Sequence, residues 1–273
     1  MKKTISLLIG LFFIVSFLHT GFAQETIRLA TTTSVRDTGL LDPLIDVFQK
    51  KTHYKVQAIA VGSGQAMQLG RTGEVDILWV HSPDDEKQFV AEGYGIDRTT
   101  IMHNDFVILG PKNDPAQIKG IKKASDALKK LATSKALFIS RGDNSGTHKK
   151  EKELWETAGV IPEKEKYYIE VGQGMAATIT IANEKEGYVL TDRSTYLSLK
   201  KSVELVIVCE GDLALINYYS LILVNPDKFL KVNSKGAREF LNFLLSKEAK
   251  DIIENFGKEK YNEQFFFYDY LVK

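Results

Sequence analysis

Apolar positions recur along this chain with two different periods. Short apolar runs lie at residues 26–30, 56–61, 75–80, 104–111, 136–139, 167–171, 188–192 and 205–208. Each is bounded by Gly, Ser, Thr, Asn, Asp or Pro, the pattern of buried strands. Between them, Leu40, Leu41, Leu44, Ile45 and Phe48 fall on one helical face. Pro43 fits that helix only near its first turn. Shorter helices are expected at 66–69, 125–131, 149–157 and 178–184, with Gly73 and Gly187 as stops. A single final helix carries Phe240, Leu241, Leu244, Ile252, Ile253 and Phe256, and Gly257 ends it. Strands that alternate with helices predict parallel βαβ units, with ligands held beyond the carboxyl ends of the strands.

Two runs break the alternation and organise the rest. Residues 104–111 read as a strand that carries the chain into a second lobe. The long apolar stretch 213–224, closed by Asn225-Pro226, reads as the return. The predicted architecture is therefore α/β and two-lobed, each lobe a mostly parallel sheet flanked by helices, with a ligand cleft between the lobes. Lobe 1 comprises residues 24–108 and 214–273, and lobe 2 residues 109–213. The aromatic tail 265–270 is expected to pack on lobe 1 rather than anchor in a membrane. Residues 1–23 read as a secretory signal: Lys2 and Lys3, an apolar stretch, then small residues at Gly21 and Ala23. An exported, periplasmic protein follows.

Composition narrows the function. The chain has 36 basic and 35 acidic residues, and without Lys2 and Lys3 the balance is −1. That excludes the basic excess expected for nucleic-acid binding. The one cysteine, Cys209, permits no intrachain disulfide and no lipid-modified residue after a signal. It lies at the end of an apolar run and is expected to be a buried strand residue.

The candidate chemistry sits at four strand–helix junctions. They are Thr31-Thr32-Thr33-Ser34, Gly62-Ser63-Gly64-Gln65, the stretch from Ser140-Arg141-Gly142-Asp143-Asn144 to Ser145-Gly146-Thr147-His148, and Gly172-Gln173-Gly174-Met175-Ala176-Ala177-Thr178. The first N–H groups of a helix lack internal partners and carry the positive end of its dipole. Glycine lets the backbone approach an anion, hydroxyls add donors, and Arg141 adds a full charge. Two turns precede the crossover and two follow it, so a cleft brings all four together. Six to eight charge-assisted hydrogen bonds at about 1.5–3 kcal/mol each exceed 10 kcal/mol gross. Tight anion binding thus needs no metal. Ligand contacts split across two lobes also predict closure on binding.

Catalysis has little support in the pattern. His53, His81, His103 and His148 form no His-Glu-x-x-His motif, and Gly62-Ser63-Gly64 lacks the spacing of a nucleophile elbow. His148 and Glu151 share a helical face and read as a surface pair. A secreted phosphate- or sulfate-ester hydrolase is the enzyme alternative, with one of the Thr quartet beside His148.

The hydroxyl quartet, the Ser140–His148 turn, Gly172-Gln173-Gly174-Met175 and Leu190-Thr191-Asp192-Arg193 together resemble the tungstate-binding proteins of bacterial ABC importers, over essentially the whole mature chain. The resemblance implies a type II periplasmic-binding-protein fold. It implies an oxyanion, tungstate or molybdate, held by Thr32, Thr33, Ser34, Ser63, Arg141, Ser145, Gly146, Thr147, Ala176, Ala177 and Thr178. It also implies a membrane permease and a cytoplasmic ATPase as partners, a monomer, and no cofactor. Related phosphate-binding proteins share an Arg-x-Asp-x-Ser-Gly-Thr arrangement, and Asp143 discriminates. A carboxylate inside the pocket accepts the proton of hydrogen phosphate but repels a fully deprotonated ion. For tungstate, Asp143 is expected to turn away and orient Arg141.

Overall fold

A computed structural model of the chain describes residues 25–163 and 166–270. The signal segment read at residues 1–23 lies outside the described residues. Lobe 1 begins with β1 (Glu25–Thr32), α1 (Thr33–Thr38), α2 (Leu41–Lys51), β2 (Tyr54–Val61), α3 (Ser63–Arg71), β3 (Ile77–Val80) and α4 (Pro83–Ala91). The crossover strand β4 (Gly95–Gly110) follows. Lobe 2 adds α5 (Ala124–Ser134), β5 (Phe138–Ser140), α6 (Gly146–Thr157), β6 (Tyr168–Glu170), α7 (Met175–Glu184), β7 (Val189–Asp192), α8 (Arg193–Leu199) and β8 (Val206–Cys209). A 3-10 turn (Leu213–Leu215) leads into the return strand β9 (Ile216–Val224), then α9 (Ser234–Leu244), α10 (Lys247–Asn255), α11 (Lys258–Tyr261) and β10 (Phe267–Tyr268).

The βαβ reading holds at the centre of lobe 1. β1 pairs in parallel with β2 and with β3. From Leu29 to Thr32 its successive residues are all buried, as a parallel strand covered on both faces requires. β9 joins β3 antiparallel, β4 joins β9, and β10 closes the edge, giving the order β10-β4-β9-β3-β1-β2. In lobe 2, β5 and β6 are parallel, and Ile139 N donates to Tyr188 O at 2.8 Å to join them to β7.

β4 ties the lobes together. From Gly95 to Asp105 it pairs with β9; from Phe106 to Gly110 it pairs with β7 and β8. It starts well before the run at 104–111. Register shifts at Ile96/Thr99 and Thr100/Met102, with Asp97 at φ 53°, interrupt the alternation that marks a strand.

Two helices have no clear apolar period and appear only in three dimensions. α4 starts at Pro83 with Asp84, Asp85 and Glu86 in its first turn. α8 is capped by Asp192. The single final helix is corrected to two. Ser246 is extended (φ −80°, ψ 161°), and its Oγ accepts from Ala249 N, so a second helix begins there. Phe240, Leu241, Leu244 and Ile253 still bury against the lobe 1 sheet. Each such side chain contributes about 1.5–3 kcal/mol when fully buried.

The aromatic tail packs on lobe 1. Phe265 stands edge-on to Phe256, Phe266 packs against Tyr219, and Phe267 and Tyr268 pair with His103 and Met102 of β4. Cys209 is buried on β8, where its Sγ donates to Ile121 O, and burial pushes the thiol up to about 11.

Candidate functional site

The four junctions meet where the lobes face each other. A Cβ built on Gly62 would lie 3.4 Å from Ser145 Cα, and one on Gly64 would lie 3.4 Å from Asn144 O. At Gly146 a Cβ would come within 2.6 Å of His81 O, a contact only glycine permits. α1 packs against α7 and α8 across the cleft.

The hydroxyl quartet divides by position. Thr31 and Thr32 end β1, while Thr33 and Ser34 open α1. Thr31 Oγ1 donates to Trp79 O at 3.1 Å and is committed to the sheet. Thr32 Oγ1 and Ser34 Oγ lie 3.1 Å apart, so one hydrogen between them remains for another acceptor. Thr33 Oγ1 is buried with no partner among the described residues. At the second junction, Ser63 Oγ accepts from His81 N at 3.4 Å, which leaves its O–H free to donate.

The third junction is held by its own hydrogen bonds. Gly142 (φ 62°) and Asn144 (φ 56°) both take left-handed conformations and turn the chain twice. A Cβ on Gly142 would strike Glu170 Cβ at 2.7 Å. Arg141 is buried, and its Nη2 donates to Asp143 Oδ2 at 2.5 Å. The other oxygen, Asp143 Oδ1, accepts from Ser145 N at 3.1 Å. Both carboxylate oxygens are therefore occupied by their own turn. Arg141 Nε and Thr147 Oγ1 are buried without partners among the described residues. Ser145 caps α6, its Oγ accepting from His148 N at 3.3 Å. Gly146 N and Thr147 N then remain as the first unsatisfied donors of a twelve-residue helix.

The fourth junction corrects one expected ligand. Thr178 N donates to Gly174 O at 3.0 Å, and its hydroxyl donates to Gly174 O at 2.9 Å. Both donors are consumed inside α7, so Thr178 offers none to an anion. Ala176 and Ala177 precede the first helical bond and keep the free N–H groups of that terminus. Gly172 N donates to Arg141 O at 2.8 Å and ties this junction to the third.

His148 and Glu151 are not a surface pair. Both are buried. His148 Nδ1 accepts from Asn144 N at 3.0 Å, and its Nε2 lies 3.7 Å from Glu170 Oε1. Glu151 accepts from Tyr168 OH at 2.6 Å, and Tyr168 also reaches Ser140 Oγ at 3.0 Å. Burial pushes the Glu151 carboxyl up to about 7. The pair supports the arginine turn from beneath. No group of metal-ligating side chains occurs among the described residues.

Sequence reasoning passed over His81, which directly follows β3 and lies two residues before Pro83, the first residue of α4. A strand end followed by a helix-opening proline was the available signal. Beside His81 and Gly146 runs a groove of about 680 Å³, bordered by Asp84, Asp85, Lys149 and Tyr218. Lys149 of α6 pairs with Asp85 of α4 across it, so an ion pair also joins the lobes.

A two-lobed α/β body with buried donors converging on its cleft defines a solute receptor. The family profile described as PBP superfamily domain matches residues 19–248, and the chain belongs to that superfamily. Within it, the chain is 47% identical over 247 residues to Tungstate-binding protein TupA of Peptoclostridium acidaminophilum, covering 89% of this chain and 86% of that protein. It matches the crystal structure of the tungstate ABC transporter from Geobacter sulfurreducens with a TM-score of 0.78 at 48% identity, covering 85% of this chain and 99% of that one. The tungstate-binding protein TupA from Desulfovibrio alaskensis G20 matches with a TM-score of 0.77 at 44% identity, covering 90% of this chain and 100% of that one. Two of these relatives are named as tungstate-binding proteins and the third as a tungstate ABC transporter; none is named as an enzyme.

Proposed function

We propose that this protein captures tungstate as a dianion between its lobes and delivers it to the permease and ATPase of an ABC importer, acting as an exported periplasmic monomer. One observation carries the reading: Arg141 Nε, Thr33 Oγ1 and Thr147 Oγ1 are buried polar atoms from both lobes with no partner among the described residues. Buried donors without partners are costly, and a bound oxyanion satisfies them. Thr32, Ser34 and Ser63 add hydroxyl hydrogens. Ser145, Gly146, Thr147, Ala176 and Ala177 line two helix N-termini whose dipoles favour the anion. Neither cofactor nor metal is needed.

The position of Asp143 favours tungstate over phosphate. Each Asp143 oxygen already accepts one bond from its own turn, Oδ2 from Arg141 and Oδ1 from Ser145 N, which holds the carboxylate against its own loop rather than directing it to a ligand. It acts instead by aiming the guanidinium. Molybdate shares the charge and tetrahedral shape of tungstate and is expected to bind the same donors.

Calorimetric titration with tungstate, molybdate, phosphate and sulfate tests the reading. Tungstate is expected to bind tightly, with phosphate and sulfate silent. Tight phosphate binding would put Asp143 in contact with the ligand and move the protein to the phosphate receptors.

A further inference from the structure

His81 is wired to the opposite lobe through a directional chain of hydrogen bonds. The chain starts at Asp192, a buried carboxylate that accepts from Ser194 Oγ at 2.6 Å, Thr195 N at 2.9 Å and Thr195 Oγ1 at 2.8 Å. A carboxylate only accepts, so the Ser194 hydrogen points toward it. Ser194 Oγ then accepts from Asn104 Nδ2 at 2.9 Å. Asn104 Oδ1 accepts from Asn217 Nδ2 at 2.7 Å, and the same amide nitrogen donates to Tyr219 OH at 3.0 Å. Asn217 therefore presents its carbonyl oxygen to His81 Nδ1, 3.0 Å away. The neutral imidazole must carry its hydrogen on Nδ1, and Nε2 is left with a lone pair.

That Nε2 is buried and has no partner among the described residues. The ring is held by Tyr219 at 4.8 Å and Phe106 at 6.3 Å between centroids. Its Cε1 edge abuts Gly146, where a Cβ would lie 2.7 Å away, so it sits at the N-terminus of α6. Its own main-chain N holds Ser63 Oγ. The charges that act on the ring come from several elements. Asp192 and Asp143 favour a proton there, Arg141 opposes it, and Asp84, Asp85 and Lys149 border the groove on its flank. Burial outweighs all of these and disfavours the charged imidazole, pushing its pKa down to about 4.

An oxygen of a fully deprotonated dianion has no hydrogen to offer a lone pair. Against it a neutral Nε2 is repulsive, whereas an imidazolium donates a charge-assisted bond. We propose that His81 contacts the captured oxyanion through Nε2 in the imidazolium form, so that each dianion bound brings one proton from solvent into the site. The inference rests on the oxyanion reading above. The proton comes from water or buffer, resides on Nε2 while the ion is held, and leaves with it. Affinity then rises about tenfold per unit fall in pH wherever the empty ring is neutral and the occupied one is charged.

The test is calorimetry of the whole mature protein with sodium tungstate at one pH, in buffers of different ionisation enthalpy. The observed enthalpy is expected to vary with the buffer, with uptake approaching one proton per ion. His81→Gln offers an amide donor that does not titrate, and its uptake is expected to vanish while weaker binding persists. Tungstate binding by the wild type without uptake overturns the role of His81 and leaves the oxyanion reading intact. Absence of tungstate binding overturns that reading itself. Uptake that survives in His81→Gln assigns the proton to another group and also overturns the proposal. Should the variant not fold, nitrogen-15 histidine spectra of the wild type decide. A ring in the Nδ1–H neutral form is expected to become imidazolium on saturation with tungstate, and a ring that stays neutral refutes the idea.

Discussion

Arg141 and Asp143 are joined by a 2.5 Å hydrogen bond from Nη2 to Oδ2 within one turn, while Arg141 Nε stays unpaired. The carboxylate fixes the guanidinium plane and leaves one edge for a ligand. Removing it in Asp143→Ala frees the arginine and strips Ser145 N of its acceptor. A hydrogen bond to a charged group contributes about 1.5–3 kcal/mol, roughly tenfold to a hundredfold in affinity. Tungstate titration of the variant is expected to show a loss in that range, with phosphate still silent.

Lysine cannot replace Arg141. It keeps the charge but lacks the planar fork that serves Asp143 and the ligand at once. Arg141→Lys is expected to bind tungstate at least tenfold more weakly at unchanged melting temperature. Equal affinity would mean the guanidinium does not touch the ion.

Gly146 sets how closely the lobes approach. An alanine there would place Cβ 2.6 Å from the main-chain oxygen of His81, and backbone does not yield as a side chain can. Gly146→Ala is expected to hold the cleft ajar. Small-angle scattering should then show less compaction with tungstate than in the wild type, and affinity should fall with it.

Glu151 and His81 pull stability in opposite directions with pH. Glu151 is raised to about 7 in the folded protein, above its unfolded value, so it binds its proton more tightly when folded. Its contribution is complete below about pH 4 and is lost as pH rises through about 7. His81 is lowered to about 4, so its contribution is present above about pH 6.5 and is lost as pH falls toward 4. In the interval between, the two offset each other. Glu151→Gln removes one side. Denaturant titrations of the ligand-free variant are expected to show stability rising with pH through that interval, and the wild-type decline near pH 7 should be absent. An unchanged profile would show that Glu151 titrates alike in the folded and unfolded chain.

Most of the site's parts were legible because their chemistry is local. A hydroxyl quartet after an apolar run, or Gly142 and Gly146 around Asp143, shows in the order of residues. Thr178 was misjudged because whether a helix residue keeps its donors depends on where the first turn closes, and Gly174 O closes it on Thr178. His148 and Glu151 were placed on the surface because helical spacing names a face but not what covers it; β6 brings Tyr168 and Glu170 over that face.

By itself, the order of residues determined the alternation of strands and helices, the two crossovers, the anion-competent turns, and the pairing of Arg141 with Asp143 two positions away. These depend on neighbours within a few residues, where spacing and geometry are nearly the same thing. Tertiary structure alone decided which hydroxyls stay free, that Gly146 touches His81, and that Asp192 reaches His81 through Ser194, Asn104 and Asn217. Those relations join residues as much as 136 positions apart, and only the packing of β4 and β9 between the lobes brings them within hydrogen-bond range.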